Sequence, residues 1–209
     1  MCARLFSYRA DDSGSGSLRA ALEGAALLPG GATISFAQLD NGGPNRVITL
    51  RSGLNITGRV VLDGGTHPGT KSNSNGLTID GSLASGYSAG LYVAAGADDT
   101  VIRRLNIAGF QSGACIALES DRAFVTGCDL SGCVVGVDAR GGRGHTIENS
   151  HIHDNAGDGI KVCGAGPSRR AGGSHKEGEG EQAQMPRNAI IHVCLWLALV
   201  ASGDSWDRR

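Results

Sequence analysis

Short apolar segments of three kinds recur in a fixed order between residues 90 and 166. Two kinds are each centred on one aliphatic residue: Ile102, Val125 and Ile147 in one series, and Ile107, Leu130 and Ile152 in the other. The increments from one member to the next are the same in both series. The remaining kind is spaced less evenly and consists of Leu91-Tyr92-Val93, Ile116-Ala117-Leu118, Val135-Gly136-Val137 and Ile160-Lys161-Val162. Two series with identical spacings indicate a structural repeat.

A repeat of this length with three short strands predicts a solenoid. Side chains alternate along a strand, so Leu91 and Val93 point to one face and Tyr92 to the other. Strands this short cannot bury an apolar face alone, but stacked coils align equivalent aliphatic residues and pair every strand with its neighbours. Glycine is frequent between the segments, where sharp corners require positive φ. The pattern predicts an all-β parallel β-helix of about 22 residues per coil.

Less regular strands and one helix precede these coils. The strands are Thr33–Phe36, Val47–Leu50, Leu54–Ile56, Val60–Leu62 and Leu77–Ile79, with a polar loop predicted between Gly64 and Gly76. The helix spans Ser17 to Leu28, with Ser17 as N-cap, and Pro29-Gly30-Gly31 ends it. Its apolar stripe consists of Leu18, Ala21, Leu22, Ala25 and Ala26. We expect this helix to cap the open first coil, although a partner-binding helix is the alternative.

The pattern divides the chain into three parts. Residues 1–32 form an N-terminal segment with the capping helix, and residues 33–166 form the β-helix. Residues 167–209 lose the periodicity, and 167–187 is a charged, glycine-rich run typical of disorder. We expect this tail to be disordered or non-native, arising from a frame change or unspliced sequence; a terminal helix docked on the open end is the alternative.

Charge and hydropathy exclude some partners. A net charge of -1 and a pI of about 6.6 argue against binding to nucleic acid or an anionic membrane surface. The apolar run Ile190–Ala201 is too short to span a bilayer. No secretory signal is visible at the start of the sequence.

The six cysteines fit two interpretations. They are Cys2, Cys115, Cys128, Cys133, Cys163 and Cys194. They are either small buried thiols or include a disulfide, which joins Cys128 to Cys133 or links neighbouring coils. No cysteine or histidine pair has the spacing of a zinc finger.

Five segments carry a family resemblance. Ala10–Leu22 contains an Asp-Ser-Gly-x-Gly-Ser-Leu-Arg motif. Gly31–Phe36 follows it with Gly-Ala-Thr-Ile-x-Phe, which resembles the family's Gly-Ala-x-Thr-Ile-x-Phe strand, and the match continues through Val47–Leu50. Val61–Gly69 holds a strand-Asp-Gly-turn-Pro-Gly motif, and Val101–Phe110 continues the pattern. Over residues 10–166 the chain resembles bacterial-type surface proteins with right-handed parallel β-helix repeats, a superfold shared with pectate lyases. The resemblance implies a right-handed solenoid and an extracellular or cell-surface location.

The most polar part of the repeats supplies candidate site residues. Strand alternation around Ile152 places His151 and His153 outward together, beside Asp154, so these three residues are candidate metal ligands. The candidate catalytic residues for a polysaccharide-active enzyme are Lys161, Asp158, Asp138 and His153. The alternative is that these polar groups coat the solvent face of a coil. No cofactor is expected, apart from Ca²⁺ in a lyase.

Three functions therefore stay open at this point. The first is a structural or adhesive β-helix module that presents flat faces to a polysaccharide or a cell-surface protein. The second is a polysaccharide lyase or glycoside hydrolase, because parallel β-helices include such enzymes. The third is a truncated, non-functional fragment, whose uncapped C-terminal end would favour self-association.

Overall fold

Short parallel strands dominate the computed structural model, which describes residues 3–37, 39, 46–68, 76–86 and 89–163 and the backbone of 189–193. In chain order the elements are β1 (Ala3–Ser7), α1 (Leu18–Ala26), β2 (Ala32–Phe36), β3 (Val47–Thr49), β4 (Leu54–Ile56), β5 (Val60–Asp63), a 3-10 helix (Gly64–Thr66), β6 (Leu77–Asp80), β7 (Leu91–Val93), β8 (Val101–Arg103), β9 (Leu105–Ala108), β10 (Ala114–Leu118), β11 (Phe124–Thr126), β12 (Asp129–Ser131), β13 (Val135–Ala139), β14 (Thr146–His153), β15 (Ile160–Val162) and β16 (Ala189–Val193).

The strands stack into three parallel faces. The first face runs β1-β2-β5-β8-β11 and ends on the first half of β14. The second face runs β3-β6-β9-β12 and ends on the second half of β14. The third face is β4-β7-β10-β13-β15. Successive strands of each face belong to successive coils, as the sequence pattern predicts for a parallel β-helix.

Aliphatic columns fill the space between the faces. Ile102, Val125 and Ile147 are register partners on the first face and are at most 3% exposed. Ile107, Leu130 and Ile152 form the equivalent column on the second face, and are also buried. Each such side chain contributes about 1.5–3 kcal/mol by leaving water. The predicted dry interior is therefore confirmed.

The corners between strands contain residues with positive φ, which recur at the same sequence spacings as the aliphatic columns. Three sets recur: Asp99, Arg122 and Gly144; Arg104, Gly127 and Asn149; and Gly109, Gly132 and Asp154. The sequence pattern predicts glycine at such corners, but five of these nine residues have a side chain. Left-handed backbone costs roughly 1–2 kcal/mol per non-glycine residue, so stacking on neighbouring coils must hold these corners in place.

The third face corrects one predicted register. Ile116 pairs with Val137, not Val135, and Val137 pairs with Ile160. With Val137 as a member in place of Val135, the series that begins with Leu91 is spaced more evenly along the chain than the sequence pattern predicts. Because side chains alternate along a strand, exchanging Val135 for Val137 keeps the same face inward. The corrected register places Asp138, rather than Gly136, on the outer surface beside Lys161.

The single helix in the described residues caps the first coil. Ser17 accepts a hydrogen bond from the Ala20 amide, and Leu18, Ala21, Leu22 and Ala25 are buried against β1, β2 and β4. The helix ends at Ala26, which is exposed and so does not belong to the apolar stripe. The strand β1, which the sequence pattern does not reveal, extends the first face beyond β2.

The Asp-Ser-Gly-x-Gly-Ser-Leu-Arg motif holds this cap on the coil. Arg19 donates to the Asp12 carboxylate at 2.7 Å and to the carbonyl oxygens of Ser52 and Gly53 at 3.1 and 2.9 Å. Asp12 also accepts from the Arg51 amide at 3.2 Å. The motif therefore ties the segment before α1 to the turn before β4.

A buried carboxylate anchors the second motif. Asp63, at the end of β5, accepts from Gly65 N at 3.0 Å, from Arg103 Nε at 3.0 Å and from Arg104 Nε at 2.9 Å. Burial raises the pKa of Asp63, but the hydrogen bond from Arg104 and the charge of Arg103 outweigh it, so the pKa is lowered from 3.8. The ionised form therefore stabilises the contact between two coils.

A disulfide joins Cys115 on β10 to Cys133, which follows β12, and thus links neighbouring coils. The predicted alternative of a Cys128–Cys133 pair is wrong, because Cys128 is a free, buried thiol. Burial raises the pKa of Cys128 to about 12, so this thiol is inert at neutral pH. Cys163 is free and exposed, and Cys2 and Cys194 lie outside the described residues.

Part of the predicted tail and loop falls outside the described residues. The backbone of β16 pairs antiparallel with β14, and the rest of 167–209 is not described, so its disorder or non-native origin stays a prediction. Of the predicted Gly64–Gly76 loop, Gly64–Thr66 is the 3-10 helix and 69–75 is not described. Within the described residues, no helix is long and apolar enough to cross a bilayer.

Candidate functional site

The outer surface of the third face carries a line of register partners. Asn55, Tyr92, Ala117, Asp138 and Lys161 lie on successive strands from β4 to β15 and point away from the interior. Ala117 is fully buried although it faces outward, because Tyr92 and Val135 pack around it with Ala89 and Ala114. The surface therefore has a small apolar floor with polar groups on either side.

A groove of about 410 Å³ lies at the start of this line. Its lining residues are Arg19, Ser52, Gly53, Asn55, Ala89, Tyr92 and Arg140. They come from helix α1, the turn before β4 and three different coils. The groove is polar and open to solvent, and one half-buried aromatic ring stands in it.

Hydrogen bonds fix the side chains of the groove. Tyr92 Oη donates to Glu119 Oε2 at 2.5 Å, and this bond, with burial and the Glu119 charge, raises the pKa of Tyr92. Arg140 Nε donates to Asp138 Oδ2 at 2.7 Å. Asp138 is buried, and its Oδ1 has no hydrogen-bond partner within the described part of the chain. The ring and the guanidinium are thus held in place by acidic partners.

The structure places three of the four candidate catalytic residues on or beside the third face and the fourth, His153, on another face. Lys161 lies beside Asp138 in register, although no ion pair joins them within the described residues 89–163. Asp158 lies between β14 and β15, where its carbonyl oxygen accepts from Gly136 N. His153 lies on the second face. One catalytic centre therefore does not contain all four.

A second polar cluster lies on the outer surface of the second face. Asp129 on β12 is the register partner of His151 on β14, and the rings of His151 and His153 stack with centroids 4.1 Å apart. Asp129 Oδ1 lies 3.0 Å from His153 Nε2, and Asp129 Oδ2 lies 3.6 Å from His151 Nδ1. One ligand atom from each residue lies within 4.8 Å of the others.

Asp154 lies beside His153, as predicted, but outside the group of three residues whose ligand atoms converge. Its Oδ2 lies 2.8 Å from His153 Nδ1, on the side of the ring opposite Asp129. The bond to Asp154 raises the pKa of His153, burial opposes it, and the bond to Asp129 raises it further. Sequence reasoning missed Asp129 as a candidate ligand, although its position one coil before His151 was a usable signal.

These features define a solenoid protein with a capped first coil and two polar outer faces. The family model for the right-handed β-helix region matches residues 48–171, which is more than half of the chain. The chain therefore belongs to the right-handed β-helix family. No curated protein and no solved structure matches it.

Proposed function

We propose that the chain is a structural or adhesive β-helix module, secreted or at the cell surface, that binds a glycan along its third face. The observation that carries the proposal is the polar groove around Tyr92, in which an aromatic ring shares the lining with the charged groups of Arg19 and Arg140 and the amide of Asn55. Such a mixture suits a sugar, whose apolar ring face packs on an aromatic side chain while its hydroxyl groups bond to fixed polar groups.

The regular spacing of the third face favours an extended polymer. Neighbouring strands of a sheet lie about 4.8 Å apart, so equivalent side chains repeat along the solenoid axis. Asn55, Tyr92, Asp138 and Lys161 occupy such equivalent positions. A linear polysaccharide lying along this line meets Asn55, Tyr92 and Lys161 on separate coils, and Arg140 beside the buried Asp138.

The fixed positions of the polar groups also favour binding. Glu119 and Asp138 already hold Tyr92 and Arg140, so little side-chain entropy is lost when a ligand arrives. Because a guanidinium carries several N–H donors in a planar fork that matches a carboxylate, Arg140 suits an acidic sugar such as a uronate. The experiment below can instead assign this face to a protein partner.

Binding to a panel of neutral and acidic polysaccharides tests the proposal. We expect Tyr92→Ala to weaken binding about tenfold, as for a central aromatic contact, and Arg140→Ala to weaken it for acidic polymers most. Tyr8→Ala and Arg122→Ala are matched controls, since both side chains are exposed and neither lines the groove. Equal affinities for Tyr92→Ala and the wild type would overturn the proposal.

The enzyme alternative has one observation in its favour, the adjacent positions of Lys161 and Asp138. A lyase needs a basic group to abstract a proton next to a uronate carboxylate, with Ca²⁺ neutralising the charge. Product release from uronate polymers with added Ca²⁺, lost in Lys161→Ala, would establish catalysis in place of adhesion. The fragment alternative predicts instead that the full chain self-associates and binds none of the panel.

A further inference from the structure

We infer that Asp129, His151 and His153 form a binding site for a divalent transition-metal ion, with zinc as the best fit, that links two successive coils on the second face. The inference is independent of glycan binding, which concerns the third face. Imidazole nitrogens select zinc, copper or nickel over calcium and magnesium, which prefer oxygen ligands.

The spacing of the ligand atoms fits a tetrahedral ion. Two ligand atoms that each lie about 2.1 Å from a tetrahedral zinc ion are about 3.4 Å apart. Asp129 Oδ1 lies 3.0 Å from His153 Nε2 and Asp129 Oδ2 lies 3.6 Å from His151 Nδ1, on either side of this value, and one ligand atom from each residue lies within 4.8 Å of the others. His151 is the most exposed of the three, so its ring has room to turn toward an ion.

The second carboxylate on His153 orients its ring toward such an ion. Both ring nitrogens of His153 face carboxylates, Asp154 at 2.8 Å and Asp129 at 3.0 Å. A neutral imidazole has one N–H, so it satisfies only one of them, and the other oxygen faces a lone pair. An Nδ1–H donated to Asp154 leaves Nε2 to bind metal together with Asp129, which is the usual carboxylate–histidine–zinc arrangement.

The backbone supports the same side chains from two coils. Asp129 and His151 are register partners on β12 and β14, so the sheet hydrogen bonds fix their relative position. Asp154, the orienting carboxylate, sits at a left-handed corner that repeats in earlier coils at Gly132 and Gly109. The site therefore forms with the fold, and the bound ion acts as a clip between the coils.

Three protein ligands leave one coordination position open toward solvent. Where the protein supplies no fourth ligand, a water molecule occupies this position. Because His151 is half exposed, the open coordination position is accessible to a carboxylate or imidazole of another molecule. The site is therefore suited to a structural ion that can also accept an outside ligand.

Zinc titration of the chelator-treated full chain by calorimetry tests the site. We expect one ion per chain at this site, and a rise in Tm of about 5–10 °C at zinc concentrations one hundred times Kd. Ca²⁺ should give no such rise. Co²⁺ should give the visible absorption bands of a tetrahedral complex.

Matched variants assign the ion to these residues. His151→Ala and Asp129→Asn should abolish the high-affinity event, and Asp154→Asn should weaken it about tenfold by losing the orienting carboxylate. Glu148→Gln is the control, since it changes a surface carboxylate of the same strand that lies outside the cluster. His151 is half exposed, so its removal should leave the circular dichroism spectrum unchanged. Equal zinc affinity and Tm shift in the wild type and in His151→Ala/Asp129→Asn would overturn the inference, and the cluster would then be an imidazolium between two carboxylates.

Discussion

Removing the Cys115–Cys133 disulfide should destabilise the chain far more than removing an exposed thiol. The bond joins β10 to the segment after β12, and the two cysteines are 18 residues apart in sequence. Both are buried, so the bond ties adjacent coils from inside the solenoid. The double variant Cys115→Ala/Cys133→Ala is the perturbation.

The loop length sets the expected magnitude. A cross-link that closes a loop of this size removes enough chain entropy from the unfolded state to contribute about 3 kcal/mol. For a domain of this size that corresponds to a fall in Tm of about 6–12 °C. Replacing the two cysteines by alanine costs little packing energy beyond this loss, since cysteine is itself a small apolar side chain.

Calorimetry and peptide mapping together check the prediction. Digestion without reductant should give a peptide pair linked through Cys115 and Cys133, while Cys128 is alkylated only after unfolding, because it is buried. Cys163→Ala is the control and should leave Tm unchanged, since this thiol is exposed. An unchanged Tm in the double variant, or a linked peptide containing Cys128, would refute the reasoning.

Two further predictions concern a buried charge and a tight corner. Because the pKa of Asp63 is lowered in the folded chain, its ionised form stabilises the fold above pH 3.8, and this contribution fades as the pH falls through the lower folded pKa. Asp63→Asn should therefore lower the free energy of unfolding, measured by urea denaturation, by about 2 kcal/mol at pH 7. The difference from the wild type should shrink at acid pH, and a difference that stays constant would contradict the prediction. Gly142→Ala should cost about 1–3 kcal/mol more than Gly96→Ala, because both glycines have positive φ but only at Gly142 does an added Cβ meet a backbone atom, the Ser120 oxygen. Equal losses would show that this corner has room for a side chain.

The fold was predictable because its signal is repeated. Ile102, Val125 and Ile147 are each ordinary residues, but their regular spacing reflects one physical requirement, a continuous dry column. The same logic failed at Val135, since a shift to Val137 keeps the same face inward and the pattern alone cannot separate the two registers. The strand β1 was missed because helix α1 separates it in sequence from its partner β2, where the strands lack the regular spacing of the later coils.

The polar sites were only partly predictable, for a different reason. His151 and His153 stood out because they alternate on one strand, but Asp129 belongs to another coil, and the equivalent residue in the coil before it is Asn106, which is not acidic. The partner of Cys133 depends on how the chain turns after β12, which is not encoded in cysteine spacing. Likewise Tyr92 and Arg140 line one groove only because the fold stacks β7 and β13 on the same face, with β10 between them.

The repeated left-handed corners limit how this chain can change its length. Deleting one residue between Arg122 and Gly144 would displace every later corner from the one beneath it, so the change would spread along the axis. Removing or duplicating one complete turn of the solenoid leaves each surviving corner above an equivalent one. Evolution and protein engineering are therefore expected to lengthen or shorten this molecule in whole turns, as a stack that grows by the addition of interchangeable layers.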